Sequence, residues 1–285
     1  MSIPTFSRRR FLQFMAGAAI SGATAFAYVR MVEPHWVDVE RVTLPIRGLS
    51  AHLDGRRIAQ LSDIHLSPFF APEQLASVVA LTNRLAPDWV FLTGDYFSGG
   101  SDYCAALVEP LRGLEPPAFA VFGNHDVGEW RTYTQRYLNE TPVRLLTNDG
   151  VLAAPDLWVA GVDDTWRGAP DLKRALRDKP AAATSLLLAH EPDYLDYVRR
   201  SEAPVDVQFS GHTHGGQIRV PTLGAGPDGT GTRALILPYG GQRYPIGLRT
   251  VGRHQVYTNR GLGVWPMPYR LNCRPELTLF TLTAA

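Results

Sequence analysis

Five short apolar runs punctuate this chain, and each ends in polar residues of the kinds that bind metal ions. Ile58 to Leu61, Trp89 to Thr93, Phe119 to Phe122, Leu186 to Ala189 and Val205 to Phe209 are the runs. Each has the length of a buried strand and is too short for a helix. Between the first two, Pro72 to Leu85 carries Leu75, Val78, Val79, Thr82 and Leu85 at helical spacing. Residues 101–113 and 129–139 also read as helices, and Val37 to Leu44 reads as a strand. Residues 143–162 read as short strands broken at Asn148, Asp149 and Gly150, and Ser185 to Arg200 as a strand followed by a helix. After His214 the pattern turns to strand and turn, with Gln217 to Val220, Ala234 to Leu237, Gln255 to Thr258 and Leu277 to Leu282. Such alternation predicts an α/β fold with mostly parallel sheet, and the β-rich second half predicts a second sheet packed on the first.

The polar residues at the run ends are the candidate chemistry. Asp63 and His65 follow the first run, Gly94 and Asp95 the second, and Asn124, His125 and Asp126 the third. His190 follows the fourth, and Gly211, His212, Thr213, His214, Gly215 and Gly216 follow the fifth. In an open α/β sheet, ligands bind beyond the carboxyl ends of the strands, so residues far apart in sequence can converge there. Five of the eight histidines lie in these blocks; His35, His52 and His254 do not. Imidazole is the commonest metal ligand, and two histidines one residue apart at a strand end can be aimed at one site. Taken singly, each block reads equally well as a helix cap or a turn.

Taken in order, Asp-x-His, Gly-Asp, Gly-Asn-His-Asp, His and Gly-His-x-His resemble the calcineurin-like metallophosphoesterase superfamily from about Arg57 to His214. The resemblance implies a four-layer α/β/β/α sandwich and one catalytic domain over residues 35–285. It also implies two divalent metal ions, manganese favoured, with iron, zinc or magnesium as alternatives. Asp63, His65 and His214 would hold one ion, Asn124, His190 and His212 the other, and the Asp95 carboxylate would bridge them. Two such ions make a water nucleophilic and neutralise the phosphoryl oxygens of a phosphodiester or phosphomonoester. His125 would face the substrate as an acid, with Asp126 behind it orienting the ring. The stretch Asn259 to Arg270, with Cys273, Arg274, Pro275 and Glu276, is similar to the exported YkuE/YaeI-like branch, as is Ala189-His190-Glu191-Pro192. That stretch reads evenly as a packed surface loop or as a cleft wall in which Arg260 or Arg270 meets phosphate.

The N-terminus reads as targeting. Ser7, Arg8, Arg9, Arg10, Phe11, Leu12 and Gln13 form a twin-arginine export signal, followed by an apolar stretch from Phe14 to Val29. Residues 1–30 are therefore a signal peptide, cleaved near Phe26 or Tyr28, with an uncleaved signal anchor as the rival reading. The apolar stretch falls short of the roughly 20 residues that span a bilayer comfortably. This predicts the twin-arginine translocase as a partner, a location in the periplasm or on the outer face of the cytoplasmic membrane, and an envelope phosphate ester as substrate. Export of folded protein suits a manganese or iron site, because copper and zinc outcompete those ions outside the cytoplasm.

Composition narrows the alternatives. With 45% hydrophobic and 19% charged residues, the 285-residue chain has the balance of a folded protein. The first 27 residues hold three arginines and no acids, so the net charge of +1 falls to about −2 without them, which gives no support for nucleic-acid binding. The 26 arginines against two lysines, Lys173 and Lys179, read as compositional bias. Cys104 and Cys273 allow at most one disulfide and no zinc site of the Cys-x-x-Cys kind. Two other functions stay open: a pyrophosphatase of a lipid-linked nucleotide sugar of the UDP-diacylglucosamine type, and an inactive binding module on the same scaffold. Cytoplasmic substrates weigh against the first, and seven filled ligand positions against the second.

Overall fold

A computed structural model describes residues 7–98 and 100–285. Its strands are β1 (Asp38–Ile46), β2 (Arg57–Leu61), β3 (Trp89–Leu92), β4 (Ala118–Ala120), β5 (Val143–Leu145), β6 (Asp149–Ala154) and β7 (Leu157–Gly161). They continue with β8 (Thr184–Leu188), β9 (Val207–Ser210), β10 (Arg219–Pro221), β11 (Thr232–Ala234), β12 (Gly247–Val251), β13 (His254–Thr258) and β14 (Glu276–Ala284). One six-stranded sheet has the order β1-β14-β2-β3-β4-β5, and the other the order β12-β13-β9-β8-β7-β6. Within the first, only β14 and β2 pair antiparallel. In the second, β7, β8, β9 and β13 run parallel, with β6 and β12 antiparallel at the edges.

Successive side chains of a strand point to opposite faces, and here both faces are apolar. Phe91 of β3 and Phe119 of β4 meet Leu186, Leu188 and Phe209 of the second sheet in a core between the sheets. Their neighbours Val90, Leu92, Ala118 and Ala120 point outward instead, against Leu75, Val78, Leu111 and Leu138. Those outer partners belong to α2 (Pro72–Arg84), α4 (Val108–Arg112) and α5 (Arg131–Leu138); Cys104 of α3 (Ser101–Ala106) joins them. On the far side, Trp158, Ala160 and Leu187 pack on Leu172 and Ala175 of α6 (Leu172–Ala175) and Val198 of α7 (Leu195–Arg200). The result is the four-layer α/β/β/α sandwich. Each fully buried large apolar side chain contributes about 1.5–3 kcal/mol, which is why strands with two apolar faces must sit in the middle layers.

The expected helix over 101–113 is divided at Leu107. Pro110 has no amide hydrogen to give to the Ala106 carbonyl, so the helix restarts as α4. The expected strand at 234–237 is only the end of the β10–β11 hairpin. The sequence pattern did not predict β12, an edge strand of half-exposed residues without an apolar run.

α1 (Arg8–Ala27) is a continuous helix with no buried residue. Ser7 caps it, its hydroxyl accepting the Arg10 N–H at 3.3 Å. A wider π-helical turn, Tyr28–Val32, and a tighter 3-10 turn, Glu33–His35, extend it, and the second enters the body. Glu33 is buried there, its carboxylate accepting the Cys273 N–H at 2.7 Å.

Candidate metal centre

The candidate ligands sit just past the carboxyl ends of β2, β3, β4, β8 and β9, where both sheets open at the same edge of the sandwich. Asp63, His65 and His214 bring one side-chain donor atom each to within 4.8 Å of one another, and so do Asp95, His190 and His212. All six are buried. His212 and His214 thus fall in different triads. Asp95 lies between the two groups, its Oδ2 being 3.5 Å from His65 Nε2 and 3.2 Å from His190 Nε2.

The backbone is bent to achieve this convergence. Asp63, His65, Asp95, His212 and His214 all adopt positive φ, between 45° and 70°. Non-glycine residues there cost of order 1–3 kcal/mol each, and such strain collects at functional sites. The adjoining glycines make room: a Cβ on Gly123 would strike the Asp95 carboxylate, and one on Gly211 the carboxylate of Asp63 and the hydroxyl of Ser62.

Buried groups behind the ligands fix their orientation. Asp63 accepts the His212 N–H on both oxygens at 3.0 Å and the Ser62 hydroxyl at 2.6 Å. Thr93 donates to Ser62, and Gln60 to Thr93, continuing a polar chain beneath the site. His190 Nδ1 is 2.6 Å from the Thr93 carbonyl, and His212 Nε2 is 2.8 Å from the Tyr239 carbonyl. The Ser98 hydroxyl holds His65 Nδ1. Each of these rings therefore turns its other nitrogen toward the centre. Sequence reasoning did not single out these supports, although Gln60 is a polar interruption of the apolar strand β2 and so was detectable.

The donor atoms fit divalent metals. His65 Nε2 and His214 Nε2 face each other at 3.0 Å, and the buried Asn124 Oδ1 and His190 Nε2 make no hydrogen bond among the described residues. A buried acceptor left so costs about 1–3 kcal/mol, and a cation among these atoms removes that cost. Burial draws the His65 imidazole down to about 3 and the His212 imidazole down to about 4, and holds His214 well below the usual range, so all three rings are neutral donors. Burial pushes Asp63 up to about 6. It would raise Asp95 too, but the surrounding His190, His125 and His65 rings hold Asp95 well below the usual carboxylate range. Against its own burial, His190 is raised by Asp95 and Asp63.

His125 is half-buried. Its N–H donates to Asp95 Oδ1 at 2.8 Å, and its ring lies 4.7 Å from that of Trp265 and 5.0 Å from that of His65. Asp126 does not sit behind that ring. Its carboxylate accepts the backbone N–H groups of Asp95 (2.7 Å), Gly123 (2.8 Å) and Tyr96 (3.0 Å), tying the β3 loop to the β4 loop. Burial, reinforced by the Asp95 charge, pushes it up to about 8.

Arg260 and Arg270, which read evenly as phosphate contacts or as parts of a packed loop, are engaged elsewhere. Arg270 is fully buried and donates to the carbonyls of Cys273, Arg260, Gly261 and Gly263. Arg260 is held by Glu276 at 2.9 Å and Glu40 at 2.8 Å. These guanidiniums brace the loop. A cation beside the site that sequence reasoning missed is Arg167: exposed, it donates to the Asn124 carbonyl at 3.0 Å.

Comparison with known proteins agrees with this geometry. The calcineurin-like phosphoesterase family matches residues 56–216. The uncharacterized metallophosphoesterase YkuE of Bacillus subtilis is 34% identical, the alignment covering 97% of this chain and 97% of YkuE. Phosphodiesterase YaeI of Escherichia coli is also 34% identical, over 97% of this chain and 99% of its own. The UDP-2,3-diacylglucosamine pyrophosphatase LpxG of Chlamydia trachomatis is 27% identical over 89% and 92%. With more than half its length matched, including both triads, this chain belongs to the calcineurin-like phosphoesterase family.

Proposed function

We propose that this metal-dependent phosphohydrolase acts outside the cytoplasm, held at the membrane by α1, on a phosphodiester or phosphomonoester of the cell envelope. The observation that carries the catalytic reading is the pair of buried triads meeting at Asp95, with acceptor atoms left unpaired between them. Asp63, His65 and His214 would hold one divalent ion, Asn124, His190 and His212 the other, with Asp95 shared. Two ions in these positions supply charge neutralisation for a phosphoryl group and acidify a water. His125 would donate a proton to the leaving oxygen, and Arg167 would offer a guanidinium to the substrate phosphate.

Arg8, Arg9 and Arg10 in the first turn of α1 support export by the twin-arginine route. Arg8–His35 is long and apolar enough to cross a membrane, with none of its apolar window buried. Manganese is the favoured ion, for the loading reason given above.

Metal analysis of the exported full chain tests this reading, followed by turnover of aryl phosphate mono- and diesters with manganese, iron, zinc or magnesium restored. About two ions per chain and manganese-dependent turnover are expected. A count near one would overturn the two-ion reading, and a manganese-loaded chain inert toward every aryl phosphate would return the binding-module reading. The likeness to LpxG favours one second reading, pyrophosphate cleavage in a lipid-linked nucleotide sugar. Location of the catalytic body on the cytoplasmic side would favour it.

A further inference from the structure

We infer that the rim of the metal site is a membrane-docking surface, whose partner is the bilayer that holds α1; this continues the anchoring reading above. One loop joins site to helix. At its start, Trp265 lies 4.7 Å from the His125 ring and 6.0 Å from the His65 ring. Two residues on, Met267 is 51% exposed. Tyr269 then packs on Phe26 of α1 at 5.8 Å, and the Arg270 N–H donates to the Val29 carbonyl at 3.1 Å. The four steps from Trp265 to Tyr269 span at most about 14 Å of chain. Wherever α1 enters a bilayer, the mouth of the site is therefore held close to the bilayer surface.

The other side of the mouth is apolar as well. Gln217, three residues past His214, accepts the Trp265 N–H at 2.7 Å and donates to the Met267 carbonyl at 3.3 Å. Across the same turn, Ile236 is 77% exposed and Tyr239 is 70% exposed, although the Tyr239 carbonyl is bonded to His212 within the site. Single exposed apolar residues are ordinary. Here they flank a catalytic mouth on both sides and adjoin the end of a fully exposed apolar helix, with aromatic rings at the level where a membrane interface favours them. Docked in this way, the metal centre meets phosphate esters at the bilayer surface in preference to those in free solution.

The test uses the full, manganese-loaded chain with a single added cysteine carrying an environment-sensitive NBD label. One variant is Met267→Cys on the rim; the other is Glu115→Cys, exposed ahead of β4 at the opposite end of the strands. The native thiols are buried and stay unlabelled. Each chain is bound to phosphatidylcholine and phosphatidylglycerol vesicles, and binding is scored by flotation. The expected result is a blue-shifted emission at position 267, quenched by nitroxide-bearing lipids, with no change at 115. A floating chain whose position 267 stays unshifted overturns the docking surface, and a chain that does not float overturns docking and anchoring together. A shift that follows protein concentration without lipid assigns the face to a second copy of the chain and also overturns it. Failure of the phosphoesterase reading would show separately, as absent turnover of aryl phosphate.

Discussion

His125 and Asp126 are sequence neighbours with opposite surroundings. The His125 ring is half-buried at the mouth against Trp265, whereas the Asp126 carboxylate is fully buried on three backbone amides. Their replacement should therefore separate chemistry from architecture. His125→Ala is expected to lower turnover by about 10²–10⁴-fold, the worth of a positioned proton donor, with the metal content unchanged. Asp126→Ala strands three amides at about 1–3 kcal/mol each. It should lower the unfolding midpoint and the metal content together, and Asp126→Asn should recover part of both. Metal content and thermal unfolding measured on the same preparations check the pair. Residue types made both sites legible, because Asn-His-Asp after a strand is a pattern of donors. The direction of each side chain was not, because it depends on which amides the neighbouring loop presents.

At the scale of elements, the turn after β9 decides how the two triads are coupled. His212 and His214 stand in different triads, both at positive φ, with Thr213 between them. The Thr213 hydroxyl is anchored at both ends, donating to the Pro245 carbonyl at 2.8 Å and accepting the Gly215 N–H at 3.0 Å. A one-residue insertion after Thr213 should therefore lower occupancy of both ions, as read by metal analysis; loss of one ion alone would show that the sites are held independently. Gly211→Ala tests the same element from its other end. The new methyl strikes the Asp63 carboxylate, so the Asp63–His65–His214 site should weaken and the unfolding midpoint fall. Strands with an uninterrupted apolar run were readable from sequence. The division of α3 from α4 and the half-exposed edge strand β12 were not, since a missing amide at Pro110 and a pairing partner at β13 decide them.

Over the whole molecule, three apolar cores hold the four layers, and both cysteines lie within the body. Cys104 packs in the outer core of the first sheet, where burial pushes its thiol up to about 12. Cys273 lies against the His214 carbonyl at 3.2 Å, its thiol likewise raised by burial. Because the thiolate is the reactive form, iodoacetamide at pH 8 should modify neither cysteine in the folded chain and both in urea; mass spectrometry of the intact protein reads the difference. α1 contributes to none of these cores. A chain lacking residues 1–25 should accordingly keep its unfolding midpoint and its aryl phosphate turnover while losing flotation with vesicles.

The sequence by itself determined the layers and the ligand set. Apolar runs of strand length bury both faces wherever they pair, and donor-type residues at run ends converge at one sheet edge in any parallel arrangement. Only the tertiary structure decided that Arg270 and Arg260 brace a loop, that Arg167 lies beside the site, and that the loop from Trp265 carries α1 to the mouth. Those outcomes rest on contacts between segments far apart in the chain. A charged or aromatic side chain is defined by what packs against it, and no local pattern records that.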